Sequence, residues 1–336
     1  MVKANKHSYE FEIDQCDVVN KFLLQTFRTK YSEWIEWYAD DPHHSICDQI
    51  SSMMWNDAAY RSLNEARRFA SEQNPSASRN GMLGEFLDRG YVSTQILDLY
   101  KITEKSPLSG PKAVISLRRL IDDMAANRHL LTRENFVSFD GLPFDCDAAR
   151  EAYYSSLSTE EMRSPHWLPM KGPQGWGMSE RVHAAFDQLS GVDPKNRKRH
   201  DIMNEKVFQT LSSWLDAPIL ETLRTHRNKY IGHAADAVSR QVKPLSRLGV
   251  SLNEIAEAQR IVIRVANGIG STVLYHHGVG SPVPTPQFDV FENFDLPLVP
   301  EKHMQDLSEW WDAHEREREA WLREHIDFLS GAIVPY

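Results

Sequence analysis

Apolar and aromatic residues recur along most of this chain at three- and four-residue steps, and that spacing commits it to helices. Phe22, Leu23, Phe27, Tyr31, Trp34 and Ile35 mark one face of a first helix over residues 17–39. A second is expected over 45–72, after a break at Pro42, and a third over 81–103, after a polar loop at 74–80. A fourth is expected from Pro111 to about residue 126, with Val114, Leu117, Ile121 and Met124 on its core face. Alternating β-branched runs between turn residues are few, so the expected fold class is all-α.

Residues 138–143 and 164–177 lack this periodicity. The second stretch, SPHWLPMKGPQGWG, is rich in proline and glycine and is the expected boundary between two regions. These are an N-terminal helical region, 1–163, and a C-terminal helical bundle, 178–330. Gly172, Gly175 and Gly177 follow no strand, so they do not read as a dinucleotide loop. Helices are expected over 179–189, 199–216, 218–235, 252–275 and 300–329, the fourth opened by a Ser251/Glu254 capping box. The last mixes both charge signs with tryptophans, which suggests a solvated face opposite an aromatic stripe packed on the bundle. Pro282, Pro284 and Pro286 read as an extended connector.

Composition narrows the function. No apolar run is long enough for a membrane span, and the first residues lack an export signal, so the cytoplasm is the expected location. Cys16, Cys47 and Cys146 are too few and too scattered for a disulfide framework or a zinc site. With 38 basic and 47 acidic side chains the net charge is −9, so nucleic acid would have to be met locally rather than by an overall positive field. His43-His44 and His276-His277 lack metal-ligand spacing; neither a metal nor another cofactor is expected.

The most informative segment is LRTHRNKYIGHAAD, residues 223–236. Projected on an α-helix, Leu220, Leu223, Arg227, Ile231 and Ala234 share a stripe, so Arg227 interrupts an apolar face and needs an anionic or carbonyl partner. His233 lies roughly a third of a turn away around the same helix. Gly232 before it lets another backbone approach, which would help two such helices meet across a dimer. An imidazole moves protons near neutral pH and a guanidinium stabilises a phosphodiester's developing charge, a pair suited to RNA cleavage by the 2′-hydroxyl.

Arg227, Asn228 and His233, spaced Arg-Asn-x4-His in a helical setting, resemble the signature of the HEPN superfamily (higher eukaryotes and prokaryotes nucleotide-binding), and within it proteins associated with abortive infection. MMWNDAAYRSLNEARR and SLRRLIDD in the first region resemble the same group. The resemblance implies a HEPN-like bundle in the C-terminal region and a metal-independent endoribonuclease in phage defence or a toxin–antitoxin pair. It also implies a homodimer, RNA as substrate and an antitoxin or regulatory partner. Arg227 and His233 would be catalytic, and Asn228 would orient them or the phosphate. Ala235 stands where some members carry a modifiable tyrosine. Arg224, His226 and Lys229, with Lys195, Arg197, Lys198 and Arg199 of the basic run KNRKRH, are the candidate RNA-binding residues. The alternative is a non-catalytic helical interaction or scaffold protein of the same fold.

Overall fold

The computed structural model describes residues 8–73, 81–158, 168–241, 249–283, 285–296, 299–326 and 333–335. It is all-α. The chain falls into two compact units, Met1–Thr285 and Pro286–Tyr336.

In the first unit, α1 (Lys21–Ile35) is capped by the Asn20 side chain and runs into a π-helical turn, Glu36–Asp40. Two long helices come after it, α2 (Ile46–Gln73) and α3 (Gly81–Thr103). The next, α4, spans Leu117–Ala126 and starts at Ser116 rather than at Pro111, because the Ser116 hydroxyl accepts from the Arg119 amide. Val114, expected on the core face, therefore lies outside the helix and is exposed. Two short helices that periodicity did not announce come next, α5 (Arg133–Ser138) and α6 (Cys146–Ser156). Then come α7 (Trp176–Ser190), α8 (Glu205–Leu215), α9 (Pro218–His226), α10 (Ala237–Gln241) and α11 (Leu252–Gly268). The capping box at Ser251 and Glu254 is present as expected, and α11 also ends in a π turn, Ile269–Val273.

One apolar core joins these helices across the boundary expected at 164–177. Leu24, Trp34, Ile50, Leu99, Leu120, Phe186, Leu211, Leu223, Val262 and Ile269 all belong to it. Helix α11 is central and packs on α2, α3, α8 and α9, while α4 packs on α8 and α5 on α7. Gln259 of α11 donates to Gln95 of α3, which donates to the Met53 carbonyl of α2, so the polar groups inside this junction are satisfied. The separation at 285/286 coincides instead with the proline connector.

The second unit holds α12 (Met304–Arg323) and a short antiparallel strand pair, Glu324–Ile326 with Ile333–Pro335. Within this unit, Trp310, Trp311 and Trp321 of α12 are not covered by its own residues. Trp310 stacks on His314 and Arg318 lies over Trp321. Among the described residues no helix is long and apolar enough to cross a membrane.

Candidate functional site

Helix α9 opens with Pro218 at its first position, where the missing N–H costs nothing, and buries Leu220 and Leu223. Past His226 its hydrogen bonding changes. Residues Arg227–Ile231 form a π turn, closed by the Gly232 amide on the Arg227 carbonyl at 2.7 Å. Such turns are one residue wider than an α turn and occur often at functional sites. The single α-helix expected over 218–235 is thus corrected: regular α geometry stops at His226, and His233 and Ala234 lie beyond the last helical residue, both exposed.

The wider turn places Arg227 over Gly232. A Cβ on Gly232 would come within 3.2 Å of Arg227 Cζ and Nε, so the glycine makes room for this guanidinium rather than for a neighbouring helix. The other side of the guanidinium faces the ring of Tyr100 on α3, 4.2 Å from Cζ to the centroid. Arg227 Nη1 donates to Asn228 Oδ1 at 2.9 Å. Its Nε is buried without a hydrogen-bond partner, and among the described residues no carboxylate lies within ion-pair distance of it. A half-buried cation held against a ring, with no carboxylate partner among the described residues, is equipped to receive an anion at its exposed edge.

Tyr100 connects this arginine to a cleft of about 240 Å³ between α3, the start of α4, and the α8–α9 junction. Its hydroxyl donates to Glu104 Oε1 at 3.2 Å. Burial first, and then Glu104, raise the phenol pKa, while Arg227 and Arg224 pull it the other way. The cleft floor is apolar, from Leu99, Leu220 and Leu223, and its rim is charged, from Glu104, Lys105, Arg118, Asp216, Glu221 and Arg224. Arg118 donates to the Leu215 carbonyl and to Asp216, at 2.7 Å in the second case, and Arg224 is paired with Glu221. Tyr100, Glu104 and Lys105 carry no motif, and sequence reasoning missed them; Arg118 lies in SLRRLIDD but was not read as a site residue.

The other expected site residues divide. Arg227 and Asn228 are in contact, and His233 comes after Gly232 at the exposed end of the turn, with no hydrogen bond of its own among the described residues. Lys229 donates to Ser239 of α10 at 2.6 Å, which ties the segment down. His226, expected to bind substrate, is 9 % exposed and packs against Tyr230; burial lowers its pKa, so it is a neutral packing residue.

The basic run is corrected in part. Arg197 grips Asp187 at 2.6 Å, and Arg199 bonds Glu134 at 2.8 Å and Asp17 at 2.9 Å. Both hold the loop 193–204 to its neighbours, whereas Lys195 and Lys198 present their ammonium groups to solvent. No hydrogen bond or ion pair joins this run to the Arg227 turn among the described residues. Nor do three His, Cys, Asp or Glu side chains gather as a metal-ligand group among them. Comparison of the chain with protein-family models, with curated proteins and with solved structures finds no match.

Proposed function

We propose that this chain is an endoribonuclease that needs no metal, acting on RNA at Arg227 and His233. The observation that carries the reading is the half-buried Arg227 guanidinium, which has no carboxylate within ion-pair distance among the described residues. Arg133, which is fully buried, is neutralised by Asp187 and Asp201, whereas among the described residues Arg227 meets only the Asn228 amide oxygen and the Tyr100 ring. A phosphodiester matches this guanidinium in charge and in fork geometry.

The chemistry asks little more of the protein. The 2′-hydroxyl of the RNA attacks the adjacent phosphorus and the bond to the 5′-oxygen breaks, so the nucleophile is part of the substrate. Arg227 stabilises the charge that builds on the non-bridging oxygens, and Asn228, bonded to Nη1, fixes the fork. His233, exposed past the end of the turn, is the group assigned to accept the hydroxyl proton or to supply one to the departing oxygen. The resemblance to the HEPN superfamily adds the setting, phage defence or a toxin–antitoxin pair, and a homodimer as the working form.

Purified protein incubated with mixed RNAs in chelator tests this. Cleavage that disappears in both Arg227→Ala and His233→Ala is the expected result. RNA left intact at high protein concentration, with no growth defect on expression, refutes it and favours the scaffold reading.

A further inference from the structure

We propose that the cleft beside Arg227 is a guanine pocket, which receives the base attached to the phosphate that Arg227 holds. The inference rests on the RNA reading and gives it a sequence preference. Three carboxylates rim the cleft, and two are already spent: Asp216 on Arg118 and Glu221 on Arg224. Glu104 is different. It is half-buried, and among the described residues its carboxylate has no ion-pair partner and accepts a hydrogen bond from the Tyr100 hydroxyl alone, on Oε1.

An unpaired carboxylate at the edge of an apolar cleft seeks N–H donors. Single-stranded RNA offers them on the Watson–Crick edges of its bases, which are the edges proteins read once a base is unstacked. Guanine alone carries two adjacent donors, N1–H and the N2 amino group, which a single carboxylate accepts together. Adenine and cytosine set a ring acceptor beside their amino group, and uracil sets acceptors on both sides of its one donor. Each of these turns a lone pair towards Glu104. Lys105, the next residue, is exposed, has no ion pair among the described residues, and can donate to guanine O6. The base plane would rest on Leu99 and Leu220, both buried. Tyr100 fixes the spacing, since its hydroxyl holds Glu104 while its ring carries Arg227.

The test is calorimetric titration of the full chain with GMP, AMP, CMP and UMP in chelator. GMP should bind about tenfold more tightly than the other three, the discrimination expected of one bidentate pair. Glu104→Gln, with one acceptor replaced by a donor, should bring GMP to within about twofold of the others. Arg227→Ala should weaken all four alike and keep the preference. Equal binding of the four nucleotides overturns the proposal, as does a GMP preference that survives in folded Glu104→Gln. If Glu104→Gln does not fold, Lys105→Ala decides, because loss of the O6 donor must reduce the preference and its full retention counts against the pocket. The two readings fail separately: RNA cut without regard to guanine keeps the nuclease and removes the pocket, whereas GMP preference without cleavage does the reverse.

Discussion

Replacing Gly232 by alanine should disable the site while leaving the fold almost as stable as before. The backbone there, φ −81° and ψ −24°, is right-handed helical, so alanine meets no conformational strain. It gains about 0.5–1 kcal/mol over glycine from the lower entropy of the unfolded chain. Against this, the new methyl would stand 3.2 Å from Arg227 Cζ and Nε, closer than such contacts normally allow. The guanidinium is the free end of a long side chain and can move, which loses its contact with Tyr100, about 0.5–1 kcal/mol at a partly exposed site. The two effects nearly cancel. Urea unfolding should therefore place Gly232→Ala within about 1 kcal/mol of the parent protein.

Function should not be spared. A guanidinium pushed off Tyr100 no longer presents its charge to a phosphate in the parent's position, and a charge-assisted hydrogen bond is worth about 1.5–3 kcal/mol. That corresponds to a loss of about tenfold or more in affinity. Fluorescence anisotropy with a labelled single-stranded RNA in chelator measures it, with Arg227→Ala as the reference for complete loss. If Gly232→Ala binds and cuts RNA like the parent while Arg227→Ala does neither, the argument that Gly232 positions the arginine is wrong.

Two further perturbations test the frame around the site. Arg133 is fully buried between Asp187 and Asp201, at 2.7 and 2.9 Å, and Arg133→Leu strands two half-paired carboxylates, so urea unfolding should show a loss of about 3–5 kcal/mol; a cost under about 1 kcal/mol would mean that the ion pairs are dispensable. Asp187 supplies a pH dependence: burial alone would raise its pKa, but the hydrogen bonds from Arg197 and Arg133 outweigh it and hold the carboxyl below its usual range. In acid the unfolded chain then binds a proton that the folded chain refuses, so the stability this group adds is full above the ordinary aspartate range and lost as pH falls through it towards the depressed folded value. Unfolding free energies measured across that window should fall with pH, and Arg197→Ala should flatten the slope; an unchanged slope would remove Asp187 as its source.

Some of this molecule is written locally and some is not. The limits of α3 and the start of α11 could be read because each has a long repeat or a side-chain cap of its own. Helix α5 escaped because six residues hardly establish a period and all of them are buried, and α6 escaped because Tyr153 is the one residue it buries, which leaves no apolar stripe to read. Charge was the least reliable guide. Arg197 and Arg199 look like solvent-facing cations in KNRKRH, yet their partners Asp187, Glu134 and Asp17 come from elsewhere in the chain. The Arg227 site was half legible for the same reason: Arg227 and Asn228 are neighbours, but Tyr100 reaches them only because α3 packs along α9 and its terminal turn.

The turn itself explains why the helical projection misplaced His233. Among the described residues, three helices of the first unit end in π turns, at Glu36–Asp40, Arg227–Ile231 and Ile269–Val273. A wider turn leaves no trace in a 3.6-residue period, yet each rotates the downstream chain around the helix axis. The device is used in two ways. Between the first and third, Tyr38 presses on Gly270 in a fully buried contact, and the widening serves close packing. In the second, the side chain opposite the glycine is a cation that remains half-open to solvent and has no carboxylate partner among the described residues. A π turn alone therefore does not mark a site. What distinguishes Arg227 is that the same geometry has been used to hold a charge within reach of solvent without neutralising it, an arrangement that costs stability unless something outside the chain completes it.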